Sequence, residues 1–207
     1  VAIGRDSLLA NTTAASNTAV GATSMIANTN GHSNSAFGRS SLIANTTGDH
    51  NTGIGYAALL ANTSANDNTA VGYSSLGANT TGIANVAVGK DALLSNTTAS
   101  VNTGIGYYAL KANTTGASNT AVGSQSLTAN TTGASNVAIG KDAMIANTTA
   151  RDNIAVGTNV MDANTTGQQN VAVGSNALGG NTTASYNVAV GDSALYANTT
   201  QVLIILA

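Results

Sequence analysis

The chain returns to the same residues every seventeen positions without a single insertion, so Asn recurs at Asn17, Asn34, Asn51 and onward to Asn187. Such a short fixed period means that each repeat is one structural unit packed on copies of itself. The consensus is N-T/V-A-V/I-G-x-x-S/A-L-x-A-N-T-T-G/A-x-x. Gly at the fifth position never varies, from Gly4 through Gly191, which marks a corner with φ > 0 or a close backbone approach. The fourth position is always Val, Ile or Phe37 and the ninth always Leu or Met, and both are expected as interior columns. The third is only Ala or Gly and the eleventh nearly always Ala, as tight packing requires.

Positions one to four alternate around a small residue, and positions eight to eleven do so around Leu. Both runs have strand length and are bounded by Gly or by Asn-Thr-Thr, so two short strands per repeat are expected. Helix is disfavoured, because the Gly, Asn and Thr of every repeat leave no uninterrupted helical window. The expected fold is all-β: a parallel β-solenoid, or β-roll, of twelve seventeen-residue coils over residues 1–200. Stacked coils superpose identical residues. Asn11, Asn28, Asn45, Asn62, Asn79, Asn96, Asn113, Asn130, Asn147, Asn164, Asn181 and Asn198 are therefore expected to form a structural amide ladder. Val1 already stands at the second repeat position, so the array reads as beginning inside a longer one. The apolar tail 201–207 breaks the pattern and reads as a cap or the start of a following segment.

Composition excludes several classes. Charged residues are only 7% and the formal charge is −2, so no basic excess holds nucleic acid or an anionic membrane. No stretch is long enough to insert as a membrane-spanning helix. Cysteine is absent, which removes disulfides and thiolate metal sites. The interior is thin for a free-standing solenoid, and the Ala/Gly third position is suited to close approach of another chain. A homo-oligomer with that face inward is the expectation.

The run Asn136-Val137-Ala138-Ile139-Gly140, repeated as Asn187-Val188-Ala189-Val190-Gly191, resembles the head repeat of YadA-like trimeric autotransporter adhesins. It is also similar to the longer N-T-A-V-G…A-N-T-T-G repeats of bacteriophage tail fibres, notably those of marine phages. The resemblance covers residues 1–200. It implies a left-handed roll, three identical chains side by side and an extracellular, cell-surface or virion location. It also implies a shaft presenting a tip, outside this sequence, to a surface glycan or protein receptor. The autotransporter repeat is usually shorter than seventeen.

No catalytic, cofactor-binding or metal-binding residues are assigned. Position six stacks Arg39, Tyr56, Tyr73, Lys90 and Tyr107 on consecutive repeats, within cation–π reach, and this column is the candidate surface ligand stripe. His32 neighbours Asp49 and His50 neighbours Asp67; these groups could ligate a metal, but simple His–Asp pairing is the favoured reading. Neither His has an acid or nucleophile set in a cleft, so catalysis finds no support. Arg5-Asp6, Lys90-Asp91 and Lys141-Asp142 read as corner charges. Two alternatives to a shaft stand open: an ice-binding solenoid using the Thr column, and an extracellular filament or sheath subunit glycosylated at its Asn-x-Thr/Ser sequons.

Overall fold

The computed structural model describes residues 1–199, so the apolar tail 201–207 lies outside the described residues. The chain divides into two units, Val1–Asn102 and Thr103–Ala207. The first unit holds β1 (Ala2–Ile3), β2 (Thr18–Val20), β3 (Ser35–Phe37), β4 (Thr52–Ile54), β5 (Thr69–Val71) and β6 (Val86–Val88). The second holds β7 (Thr103–Ile105), β8 (Thr120–Val122), β9 (Val137–Ile139), β10 (Ile154–Val156), β11 (Val171–Val173) and β12 (Val188–Val190). Within each unit, successive strands pair in parallel with a register of one repeat, as in Ala70↔Ala87 and Ala155↔Ala172. The fold is therefore a parallel β-solenoid with one repeat per coil.

Each coil contains one strand, not the two expected. The second segment is a pair of linked turns, closed in the second coil by Ser24 N–H to Gly21 C=O at 3.3 Å and Asn28 N–H to Met25 C=O at 3.2 Å. The seventh and ninth positions take left-handed backbone, for example Thr23 at φ 57° and Met25 at φ 49°. The physical reason is that the eighth and ninth side chains are both buried, as in Ser24/Met25 and Ser41/Leu42. A strand sends neighbours to opposite faces, so two consecutive inward residues require a bend. Coil-to-coil bonding survives this, with Leu8 N–H donating to Ser24 C=O and Ala10 N–H to Ile26 C=O, both at 3.1 Å.

The invariant fifth-position glycine has the expected cause. Gly72 sits at φ +135°, and a Cβ there would lie 2.5 Å from the Gly89 carbonyl oxygen of the next coil. No side chain fits between corners stacked this closely.

The assignment of faces is the main correction. Position nine is interior as expected: Leu42, Leu59, Leu76, Met144 and Leu178 are fully buried. Position four is not. Phe37 and Ile54 are each 41% exposed and Val190 is 54% exposed, whereas the third-position Ala36, Ala70 and Ala138 are 0% exposed within a single chain. The third position packs into the coil's own interior and is not available to another chain. A roll one repeat around is too narrow to accept a large aliphatic from the strand opposite Leu/Met, so the strand turns its small residue inward.

Candidate functional site

The expected amide ladder is present in both units. Asn45 Nδ2 donates to Asn28 Oδ1 at 2.9 Å, Asn62 to Asn45 at 2.8 Å and Asn79 to Asn62 at 3.1 Å. In the second unit Asn130 donates to Asn113 at 2.8 Å and Asn181 to Asn164 at 3.1 Å. Asn198 departs from it. Its Nδ2 donates at 3.4 Å to Asn187 Oδ1 in its own coil, and the buried Oδ1 of Asn181 has no partner among the described residues. Asn198 is only partly buried, without a described coil beyond it to fix its place in the column.

A second Asn ladder was missed from the sequence. The first-position asparagines are buried too, and within each unit their Oδ1 atoms accept the backbone N–H of the next, as in Asn34 to Asn17 at 2.9 Å and Asn136 to Asn119 at 3.0 Å. Their Nδ2 atoms reach across the coil. Gly48 C=O accepts from Asn34 Nδ2 at 2.8 Å and from Asn45 Nδ2 at 3.0 Å, so the two columns clamp one carbonyl from both sides. The invariant first Asn was the available signal. Position sixteen also has a role where its side chain can accept: Ala15 N–H donates to His32 Nδ1 at 3.0 Å, His32 N–H to Asp49 Oδ1 at 2.6 Å and Asp49 N–H to Asn66 Oδ1 at 2.8 Å.

These bonds bear on the candidate surface groups. His32 Nδ1 and the Asp49 carboxylate are spent on backbone N–H groups, while His50 and Asp67 pair at 3.5 Å. Among the described residues, no group of three His, Cys, Asp or Glu is arranged to hold a metal ion. The corner pairs Arg5–Asp6, Lys90–Asp91 and Lys141–Asp142 form at 3.4, 3.5 and 3.3 Å.

Four members of the position-six stripe come together in the first unit. Tyr56 and Tyr73 stack at 5.2 Å between centroids with 17° between planes, Arg39 caps Tyr56 at 5.9 Å and Lys90 caps Tyr73 at 5.9 Å. Tyr107 belongs to the second unit, where it stacks on Tyr108 at 3.8 Å. In the first-unit stack the ring faces are occupied by each other and by cations, so the column offers edges and hydroxyls to solvent. It is a poorer platform for a sugar ring than free faces would be.

Beside this stack, an open apolar notch of about 580 Å³ lies where Gly77 interrupts Leu60 and Leu94 in the tenth-position column, floored by Ala61 and Ala78. No titratable group lines it. Among the described residues no helix is long and apolar enough to cross a membrane.

In each unit the outer face of the strands is formed by positions two and four. None of their residues is charged. Every Lys, Arg and Asp of the chain falls at position six, seven, ten, sixteen or seventeen. Hydrophobicity alone places the fourth-position aliphatics inside, and the signal against it is this exclusion of charge from position two on the same strand face.

No family model, no curated protein and no solved structure matches the chain.

Proposed function

We propose that this chain is a length of non-catalytic fibre shaft, assembled as a homotrimer, which spaces and presents a host- or surface-binding tip outside the cell or on a virion. The observation that carries the reading is the stack of near-identical coils within each unit, whose strands turn aliphatic side chains outward. Buried Asn columns and parallel strands give it axial order, and the open Val/Ile face gives it a reason to associate. The resemblance of its repeats to trimeric adhesin heads and phage tail fibres supplies the number three and the adhesive setting.

Two observations weaken the other readings. The ten ladder asparagines from Asn28 to Asn181 are 0% exposed, so in the folded array their Nδ2 atoms are closed to a glycan. The Thr column spends its hydroxyl protons on the next coil, as with Thr46 Oγ1 to Thr63 C=O at 3.0 Å and Thr131 Oγ1 to Thr148 C=O at 3.1 Å. An ice-ordering surface needs those groups for water. Sedimentation equilibrium tests the proposal: the expected mass is three times 20.2 kDa across the micromolar range, and a monomer there rejects it.

A further inference from the structure

We infer that the first unit carries a binding site for one planar, uncharged aromatic ring of the phenol type, seated on Gly77 between Leu60 and Leu94. The site lies on the turn segment of the coil, goes beyond the shaft reading and does not depend on how many chains associate.

Two departures from the repeat meet there. In the first unit the tenth position otherwise holds Leu9, Ile26, Ile43, Leu60 and Leu94, and Gly77 leaves its level of that column without a side chain. The result is the open notch of about 580 Å³. On the next coil Ser95, the sole Ser of an eleventh-position column otherwise made of Ala and Gly180, lines the same notch. The backbone does not demand this glycine. Gly77 lies outside the left-handed region that Gly72 occupies, and a Cβ there would meet Ser74 C=O at 3.1 Å and the mobile end of Leu94, its Cδ1, at 3.2 Å.

The second unit shows what such a hollow accepts. Gly179 is the other glycine of the tenth position, and the ring of Tyr196, from the following coil, lies over it. Its Cε2 and Cδ2 atoms would stand 2.7 and 2.9 Å from a Cβ at Gly179. The hollow beside that ring is about 320 Å³ and is lined by Asn176, Ser193 and Tyr196, with Gly179 no longer on its wall. At Gly77 the following coil supplies Leu94, which leans the same way but has no ring to lay across the gap.

Shape and polarity select the ligand. One coil level is about 4.8 Å high, which admits a flat ring of about 3.5 Å contact thickness more readily than a puckered saturated one. Tyr56 and Tyr73, on consecutive coils of the same unit, stack at 5.2 Å, so the coil spacing already accommodates rings level by level. The floor is Ala61 and Ala78, no titratable group lines the notch, and a charged ligand would be desolvated there without a partner. Ser74 and Ser95 bring hydroxyl groups to the wall for one polar substituent on the ring.

The test is a titration of the isotope-labelled full chain with p-cresol, read as amide chemical shifts. Saturable shifts are expected at Gly77, Ala78, Leu94 and Ser95, with a dissociation constant on the order of 1 mM for a ligand of this size. Two variants fill the notch by different routes: Gly77→Leu restores the side chain its neighbours carry, and Leu94→Tyr copies the Tyr196 arrangement. Each is expected to keep native circular dichroism and to weaken p-cresol binding by about ten-fold or more. Methylcyclohexanol, which loses the plane, and p-hydroxybenzoate, which adds a charge, should each bind about five-fold more weakly or worse. Undiminished binding in a folded variant of either kind, or saturable shifts centred on other residues, overturns the site. Equal binding of methylcyclohexanol or of p-hydroxybenzoate overturns the ligand class, and shifts that stay linear to about 10 mM overturn the proposal entirely. The sedimentation mass that decides the shaft reading is untouched by any of these results.

Discussion

Replacing Asn79 by Ala cuts three hydrogen bonds of the inner ladder at once. Its Nδ2 donates to Asn62 Oδ1 at 3.1 Å and to Gly82 C=O at 2.9 Å, and its Oδ1 accepts from Asn96 Nδ2 at 3.0 Å. The losses are unequal. Gly82 C=O keeps its bond from Asn68 Nδ2 at 2.9 Å, and Asn96 Nδ2 keeps Ala99 C=O at 2.9 Å. Asn62 Oδ1 is left buried with no donor. One orphaned acceptor costs about 1–3 kcal/mol and each compensated loss about 1 kcal/mol, so the variant is expected to be destabilised by about 3–5 kcal/mol. The Asn62→Ala/Asn79→Ala double variant removes that orphan together with its donor. Its cost should therefore fall short of the sum of the single variants by about 1–3 kcal/mol. Urea unfolding followed by circular dichroism at fixed chain concentration gives all three values. Single and double variants that add to within about 0.5 kcal/mol, or an Asn79→Ala cost below about 1 kcal/mol, would show that the column is ornament to the stack and not a source of its order.

Gly72→Ala should cost about 3 kcal/mol or more, read as a lowered urea midpoint, because the new Cβ meets strained φ and the Gly89 carbonyl together. Leu76→Ala should cost about 2–5 kcal/mol, while Ile54→Ala should cost under about 1 kcal/mol in dissociated chains and act mainly on assembly, seen as a raised dissociation constant in sedimentation. Thermal hysteresis of a chilled solution is expected to stay at the colligative level, and measurable ice shaping would contradict the engagement of the Thr hydroxyls.

The period made the parallel solenoid and the Asn ladder of each unit legible, because superposition of equal residues follows from repetition alone. Which side of the strand faces inward did not follow from it. Hydrophobicity favoured Val/Ile over Ala as the core column, and in an ordinary sheet it would have been right; the narrow bore of a seventeen-residue coil reverses the choice. The second strand failed for a related reason: the steady Ser/Ala followed by Leu/Met at positions eight and nine encodes two adjacent inward residues, a pattern that turns can satisfy and strands cannot. The tyrosine column is legible from spacing, but spacing carries no ring orientation, and the stacking that fills its faces is set by the folded coils.

The left-handed residues described at the turns bear on how the molecule comes into being. Every complete coil holds three non-glycine residues at φ near +50 to +65°, such as Ala57, Leu59 and Asp67. Each is disfavoured by about 1–2 kcal/mol in a free peptide. A solitary seventeen-residue peptide thus has no means of closing its own loop; only a finished neighbour below, offering carbonyls and amides at fixed heights, can hold it in shape. Growth therefore proceeds by zippering from a costly first ring, and cutting rings from either end should subtract stability in equal steps until the seed itself is lost.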